Sequence, residues 1–163
     1  MKKYTPSFLL LLISSLTSCG QKPFDEKMQS LYKNTVPLIK SNELESKLDD
    51  VVILDTRAPE EFEVSHIPGA RMIDFDNFEL DNVKDIPKDA AVIVYCSVGY
   101  RSERVGEKLR EAGYEDVKNL YGGIFDWKNH GYQVVNRNNQ ATDSVHTYNR
   151  FWGKWLYKGI KVN

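Results

Sequence analysis

The sequence contains very little cysteine. Cys19 and Cys96 are the two cysteines in 163 residues, and their surroundings differ so much that we do not expect a disulfide between them. The sequence has no C-x-x-C pair and no cysteine–histidine cluster, which argues against a structural zinc site. A disulfide scaffold and a zinc-stabilised fold are therefore both disfavoured, and no metal ligand is predicted.

Net charge and long apolar runs are also lacking. The formal net charge is −1, and without residues 1–18 the chain keeps 20 basic against 23 acidic side chains. This balance argues against nucleic acid as a partner. The apolar run from Phe8 to Ile13 is too short to span a bilayer as a mature helix. With 41% hydrophobic residues, the chain suits one ordinary globular domain with short additions.

The N-terminus has the pattern of a targeting segment. Lys2 and Lys3 form a basic start, and the apolar run follows, which indicates a secretory signal. Residues 16–19 then resemble the bacterial lipoprotein box. That resemblance implies cleavage before Cys19 and a lipid on its sulfur, so that the protein is anchored in the cell envelope on the extracytoplasmic face of a bacterial membrane. The alternative is an ordinary signal peptide with an incidental cysteine, and the choice between inner and outer membrane stays open.

A continuous apolar run from Ala91 to Tyr95 leads into the second cysteine, Cys96. Such a run is typical of a strand buried on both faces of a parallel sheet. Helical spacing follows from Ser102 to Ala112, so Cys96 lies in a loop before a helix. Free N–H groups and partial positive charge at a helix N-terminus stabilise an anion, which favours Cys96 as a nucleophilic thiolate. The alternative is an inert buried cysteine that ends a core strand.

Two further loop residues favour the nucleophile. Gly99 lets the backbone turn tightly around the sulfur, and Arg101 adds a permanent positive charge beside it. Gly113 follows the predicted helix where a left-handed cap is expected. With Gly99 and Arg101 next to Cys96, the loop has the composition expected around an activated cysteine.

Four segments of the sequence resemble the rhodanese-like sulfurtransferases. They are the C-x-x-G-x-R-S loop at 96–102, the D-x-R-x-x-x-E-F segment at 55–62, H-I-P-G-A at 66–70 and the closing G-G-x-x-x-W at 122–127. All four occur in the family's order. The resemblance implies a three-layer α/β sandwich with a mainly parallel central sheet of about five strands flanked by helices.

The resemblance also implies a reaction. Cys96 would attack a sulfane sulfur in thiosulfate or in a persulfide donor, carry it as a persulfide, and pass it to a thiol or cyanide acceptor. The family needs no metal and no organic cofactor for this chemistry. The substrate-binding loop would consist of Ser97, Val98, Gly99, Tyr100, Arg101 and Ser102.

Asp55 and Arg57 of the D-x-R-x-x-x-E-F segment are expected to support this loop. Asp55 ends one predicted strand and Cys96 follows another, so both are expected at the same edge of a parallel sheet. In the family, the residues that match Asp55 and Arg57 brace the loops around the active site, and Arg57 would help Arg101 to attract an anionic donor. The alternative is a surface ion pair of little energetic importance.

The length of the loop separates the possible chemistries. Cys96 to Arg101 is six residues, which suits a single sulfur atom. Phosphatase and arsenate reductase relatives use a seven-residue loop that opens for a tetrahedral oxyanion, so phosphoryl and arsenate chemistry are disfavoured. Many active members of the family have charged or small residues after the cysteine, whereas this sequence has Ser97, Val98 and the bulky Tyr100, so we expect poor turnover of thiosulfate with cyanide. A second hypothesis is a membrane-tethered binding or redox-sensing module whose Cys96 reacts without turning over.

The remaining pattern alternates strands and helices. His66 is expected to be structural rather than a general base, and Trp127 is expected in the core. Ser41 or Asn42 is predicted to cap a helix, and Phe62 to anchor another helix in the core. Further strands are predicted at 36–39, 51–54, 71–73 and 117–120, and helices at 59–64 and 124–130.

The domain plan places short additions at both ends. A signal peptide at 1–18 and a tether with a short helix at 19–35 precede the rhodanese-like domain at 36–135. Spacing of apolar residues from Phe24 to Tyr32 favours the helix, and a flexible tether is the alternative. The extension at 136–163 is basic and aromatic. It would bind lipid or a protein partner, or pack back on its own domain and reach the active-site rim.

Overall fold

The computed structural model describes residues 21–163. Cys19 and the predicted signal peptide lie outside the described residues. A central sheet holds five parallel strands in the order β1-β5-β4-β2-β3, which confirms the predicted sheet. The strands are β1 (Leu38–Ile39), β2 (Val52–Asp55), β3 (Arg71–Met72), β4 (Ala91–Tyr95) and β5 (Asp116–Leu120).

Helices flank this sheet and connect its strands. Two short 3₁₀ turns, Leu48–Asp50 and Leu80–Val83, complete the connections. The helices are α1 (Gln21–Leu31), α2 (Ser41–Glu45), α3 (Pro59–Val64), α4 (Tyr100–Glu111), α5 (Gly123–Asn129) and α6 (Arg150–Gly153). Within residues 21–163, no helix combines the length and the apolar character needed to cross a bilayer.

The apolar run of β4 feeds two separate cores. Ile93 and Tyr95 pack into one core with α1, α5 and the end of the chain, whereas Val92 and Val94 pack into the other with α4. Successive side chains of a strand point to opposite faces, so a strand covered on both faces must be apolar throughout. This burial confirms the prediction from the continuous run.

Local chemistry shifts several predicted boundaries. β1 begins at Leu38 rather than at residue 36, because Pro37 has no N–H to donate to the ladder. α4 begins at Tyr100, two residues earlier than predicted, directly after Gly99. The predicted cap of α2 is wrong, since Lys40 precedes the helix and the Ser41 hydroxyl donates to Asp126 at 2.6 Å.

Both ends of the described chain pack onto the domain. Phe24 and Met28 of α1 are buried in the core, so the flexible tether is wrong for residues 21–31. Val145 and Leu156 of the extension are buried in the same core, which confirms that the extension packs back. Two small sheets shape it: β6 (Val134–Val135) pairs with β7 (Ala141–Thr142), and β8 (Ser144–His146) pairs with β9 (Ile160–Val162).

Candidate active site

The carboxyl ends of β2 and β4 bring the two predicted site segments together. Asp55 is paired with Tyr95 in the parallel ladder, and Cys96 is the next residue along the chain. Both side chains therefore lie at the same edge of the sheet, as the sequence predicts. Open parallel sheets bind their ligands at this edge.

The sulfur of Cys96 lies at the head of α4. The Gly99 N–H donates to Cys96 Sγ at 3.1 Å, and Gly99 has φ +91°, a conformation that L side chains rarely adopt. The first N–H groups of a helix have no carbonyl partner within that helix, and α4 adds those of Tyr100, Arg101 and Ser102 beside the sulfur's loop. This end of the helix favours negative charge on the sulfur.

Residues from distant segments hold the loop in this shape. The Tyr32 hydroxyl donates to the Val98 carbonyl at 2.7 Å and accepts from the Gly122 N–H at 2.8 Å. The Asn119 side chain donates to the Gly99 carbonyl at 2.9 Å and accepts from the Ser102 hydroxyl at 2.7 Å. Sequence reasoning missed Tyr32 and Asn119, because neither lies in a motif segment.

The N-terminus of α5 holds the other side of the loop that contains Cys96. The Ile124 N–H donates to the Cys96 carbonyl at 2.9 Å, and the Phe125 N–H donates to the Ser97 carbonyl at 3.2 Å. A Cβ at Gly123 would collide with the Cys96 carbonyl oxygen. The two glycines of the G-G-x-x-x-W segment therefore let α5 begin against the loop.

Arg101 lies in the same loop as Cys96, and the buried carboxylate of Glu61 neutralises its charge. Arg101 Nη1 and Nη2 donate to the two oxygens of Glu61 at 2.9 and 3.0 Å. Burial would raise the pKa of Glu61, but the hydrogen bonds and charge of Arg101 outweigh it and lower that pKa below the ordinary value. Ser97 joins the pair, because its hydroxyl donates to Glu61 at 3.0 Å and accepts from Arg101 at 3.2 Å.

This pair corrects the prediction about α3. Phe62 is half-buried and stacks on His66 with ring centroids 3.8 Å apart, whereas Glu61 is fully buried. α3 thus turns a carboxylate toward the loop and not a phenyl ring toward the core. The signal available in the sequence was the glutamate of the D-x-R-x-x-x-E-F segment, together with the need of Arg101 for a counterion.

Asp55 and Arg57 form a second ion pair beneath the edge of the sheet. Arg57 donates to both Asp55 oxygens, the shortest contact being 2.6 Å, and also to the Ser65 carbonyl at 2.6 Å. Both side chains are 0% exposed, so the alternative of a surface ion pair is wrong. Burial would lower the pKa of Arg57, but the Asp55 charge raises it and keeps the guanidinium ionised. The pair ties the end of β2 to the chain before His66.

Cys96 itself is 1% exposed and is reached through a cleft of about 440 Å³. The loop contributes the floor with Cys96, Ser97, Val98, Tyr100 and Arg101. The walls come from other segments, namely Leu31, Phe75, Asp76, Tyr148 and Trp152. The extension therefore reaches the rim of this cleft, as one of the sequence alternatives supposes.

His66 is placed away from this cleft. Its Nδ1 lies 3.0 Å from the Phe62 carbonyl, and its backbone bridges to Val135. The ring does not line the cleft, which agrees with a structural histidine. No group of three or more His, Cys, Asp and Glu side chains suited to a metal ion occurs within residues 21–163.

A family model for the rhodanese-like domain matches residues 40–130. The chain belongs to the rhodanese-like domain family. A sulfurtransferase of Allochromatium vinosum is 37% identical over 87 residues, which cover 53% of this chain and 80% of that protein. A tRNA uridine(34) hydroxylase of Listeria welshimeri is 40% identical over 81 residues, but these cover 47% of this chain and 25% of that enzyme.

Solved structures contain the same fold. The crystal structure of a rhodanese-related protein from Thermoplasma volcanium superposes with a TM-score of 0.56 at 27% sequence identity. The superposition covers 61% of this chain and 97% of that one. About two fifths of this chain lies outside the superposition. The helices α1 and α6 both lie outside the family match at residues 40–130.

Proposed function

We propose that the protein is a sulfurtransferase that carries sulfane sulfur on Cys96. The observation that carries the proposal is the position of Cys96 Sγ, which accepts the Gly99 N–H at the head of α4 and faces a cleft. A thiolate there is stabilised without a general base. A persulfide built on it would place its outer sulfur in the same field of N–H groups.

The reaction balances without a cofactor. The Cys96 thiolate attacks the outer sulfur of thiosulfate, the donor S–S bond breaks, and its electron pair leaves with sulfite. With an organic persulfide donor, the electron pair leaves with the donor thiolate. In the second step a thiol or cyanide attacks the outer sulfur of the Cys96 persulfide, and the Cys96 thiolate is released.

Two features support sulfur transfer over related chemistries. The six-residue span from Cys96 to Arg101 has room for one extra sulfur atom, and the sulfurtransferase of Allochromatium vinosum matches over most of its own length. The tRNA uridine(34) hydroxylase shares only a quarter of its length with this chain. That match supports a shared rhodanese-like domain and gives no ground for tRNA hydroxylation.

Glu61, Asp55 and Arg57 would act through the loop and not on the substrate. Glu61 holds the guanidinium of Arg101 and the hydroxyl of Ser97, so it fixes the orientation of both loop side chains. The buried Asp55–Arg57 pair holds the strand end behind the loop. We assign all three a positioning role.

The proposal includes a location. The lipoprotein-like residues 16–19 support attachment of a lipid to Cys19, which would place the domain at the extracytoplasmic face of a bacterial membrane. The residual net charge without the first 18 residues is slightly negative, so the anchor and not surface charge would hold the protein at an anionic membrane.

Transfer assays on purified protein test the sulfurtransferase. Cys96→Ser should abolish transfer from thiosulfate or a hydropersulfide to cyanide or a thiol, while the far-ultraviolet circular dichroism stays unchanged. Cys19→Ser is the matched control, since it removes the other cysteine and should keep full activity. Residual transfer in Cys96→Ser would refute Cys96 as the carrier. Mass spectra that show only sulfenic or higher oxides on Cys96 would instead favour the redox sensor.

A further inference from the structure

The walls of the active-site cleft come partly from segments outside the matched family region. Leu31 ends α1, and Tyr148 and Trp152 belong to the extension, whereas the family match covers residues 40–130. These side chains lie around the opening that leads to Cys96. Segments on both sides of the family match therefore contribute walls to the cleft above Cys96.

Hydrogen bonds fix the backbone of the extension where it carries Tyr148 and Trp152. Thr147 is buried, and its N–H donates to the Val162 carbonyl at 2.8 Å next to the β8–β9 pair. Tyr148 follows with φ +63°, a rare conformation for a tyrosine, and its N–H donates to His146 Nδ1 at 3.1 Å. The Asn149 side chain accepts the Trp152 N–H at 3.1 Å and starts α6. The backbone therefore places Tyr148 and Trp152 at the cleft, which both side chains line.

The charges in the cleft do not favour an anionic donor. Arg101 is the cationic side chain that lines the cleft, and Glu61 binds it through two oxygens. Asp76, also at the cleft, adds a negative charge, and an ionised Cys96 adds another. The formal charges of these four side chains therefore sum to a negative value, which argues against the expectation that Arg101 attracts a thiosulfate dianion. Arg57 is fully buried, pairs with Asp55 and does not line the cleft, so it is not available to an anionic donor.

We propose that the donor is a small organic hydropersulfide with an uncharged alkyl or aryl group. This inference rests on the proposed sulfurtransferase and names its substrate class. The cleft offers apolar surface to the carbon chain from Leu31, Phe75, Val98 and Trp152, and Tyr148 lines the cleft beside them. The Cys96 thiolate attacks the outer sulfur of R–S–SH, the donor S–S bond breaks, and R–S⁻ leaves with the electron pair.

A series of alkyl hydropersulfides tests the proposal on the unmodified protein. The rate of Cys96 persulfide formation, expressed as kcat/KM, should rise about two- to fourfold for each added methylene from methyl to butyl. Propyl hydropersulfide should exceed cysteine hydropersulfide, which has a similar length but carries two charges, by about tenfold. Thiosulfate should be slower than both.

Two substitutions on α6 locate the effect. Trp152→Ala removes a wall of the cleft and should flatten the dependence on chain length. Phe151→Ala is the matched control, because Phe151 is the neighbouring aromatic residue, is exposed and does not line the cleft. It should keep the dependence of the unmodified protein. Tyr148→Ala is a second wall variant for the case in which Trp152→Ala does not fold.

The outcomes separate this inference from the proposed function. Cys96 loading that is equal for all chain lengths, or fastest with thiosulfate, would overturn the apolar donor and leave the sulfurtransferase standing. An equal loss of chain-length dependence in Trp152→Ala and Phe151→Ala would also overturn it. If no donor places sulfur on Cys96, the sulfurtransferase itself fails, and the inference fails with it.

Discussion

Replacement of Glu61 by glutamine tests the ion pair that orients the active-site loop. Glutamine keeps the shape of the side chain and removes its charge. Glu61 is 1% exposed, whereas its partner Arg101 is 22% exposed. The substitution therefore leaves a partly buried guanidinium beside Cys96 without its counterion.

The expected loss of stability follows from this burial. Removal of one partner of a fully buried ion pair costs about 3–5 kcal/mol. Water still reaches Arg101, and glutamine can keep hydrogen bonds to Ser97 and Arg101, so we expect a loss of about 2 kcal/mol in the free energy of unfolding. For a chain of 163 residues this corresponds to a decrease in Tm of about 4–8 °C.

The loss should depend on pH with a defined sign. The pKa of Glu61 is lowered in the folded protein, so the stability that its charge provides is fully present above the pKa of an unfolded glutamate, about 4.3. That stability declines as the pH falls through the lower, folded pKa. The difference between the protein and Glu61→Gln should thus be full at pH 7 and shrink progressively as the pH falls below about 4.

Denaturant unfolding at several pH values measures this difference. Glu60→Gln is the matched control, because Glu60 is the preceding residue of α3 and is exposed. It should change the free energy of unfolding by less than about 0.5 kcal/mol. The reasoning fails if Glu61→Gln and Glu60→Gln are equally stable at pH 7, or if the loss in Glu61→Gln grows as the pH falls.

Three other changes give defined outcomes. Gly99→Ala forces a side chain into φ +91° and to 2.9 Å from the Tyr32 ring, so it should destabilise the protein by about 2–4 kcal/mol in urea unfolding; an unchanged midpoint would contradict this. Asp76→Asn should raise the thiosulfate loading rate about twofold at low salt and have little effect at high salt; equal rates at low salt would count against the charge argument. Cys19→Ala should release the protein from membranes in fractionated cells, and continued membrane association would point to the extension instead.

The central sheet could be predicted because its sequence pattern is local. The run from Ala91 to Tyr95 is apolar at every position, and this follows from a strand that is covered on both faces. The placement of Asp55 and Cys96 at one edge then follows from the parallel order of strands. Gly99 was recognisable because a tight turn before a helix requires its positive φ.

The contacts that hold the loop could not be predicted in the same way. Glu61 and Phe62 are neighbours in a short helix, and a pattern of apolar residues favours Phe62 for burial. The outcome depends on Arg101, which is 40 residues away and needs a counterion. Tyr32 and Asn119 reach the loop through long-range packing, for which no local spacing gives a signal.

The packing of the extension at 136–163 also could not be predicted from local sequence patterns. Its mixture of basic and aromatic residues was compatible with a lipid surface, a partner or the domain itself. Burial of Val145 and Leu156 in the main core decides for the domain. The position of Tyr148 and Trp152 at the cleft depends on where the β8–β9 pair anchors the chain, which the sequence alone does not specify.

A chase with isotopically labelled sulfur tests the central claim most directly. A hydropersulfide donor labelled only in its outer sulfur is mixed with the protein in a single turnover, and intact-protein and peptide mass spectra follow the label with time. The account predicts that one labelled sulfur appears on Cys96, and that it moves to an added thiol as fast as the overall transfer proceeds. Label that reaches the acceptor without ever residing on Cys96, or that stays on Cys96 when the thiol is added, would contradict it.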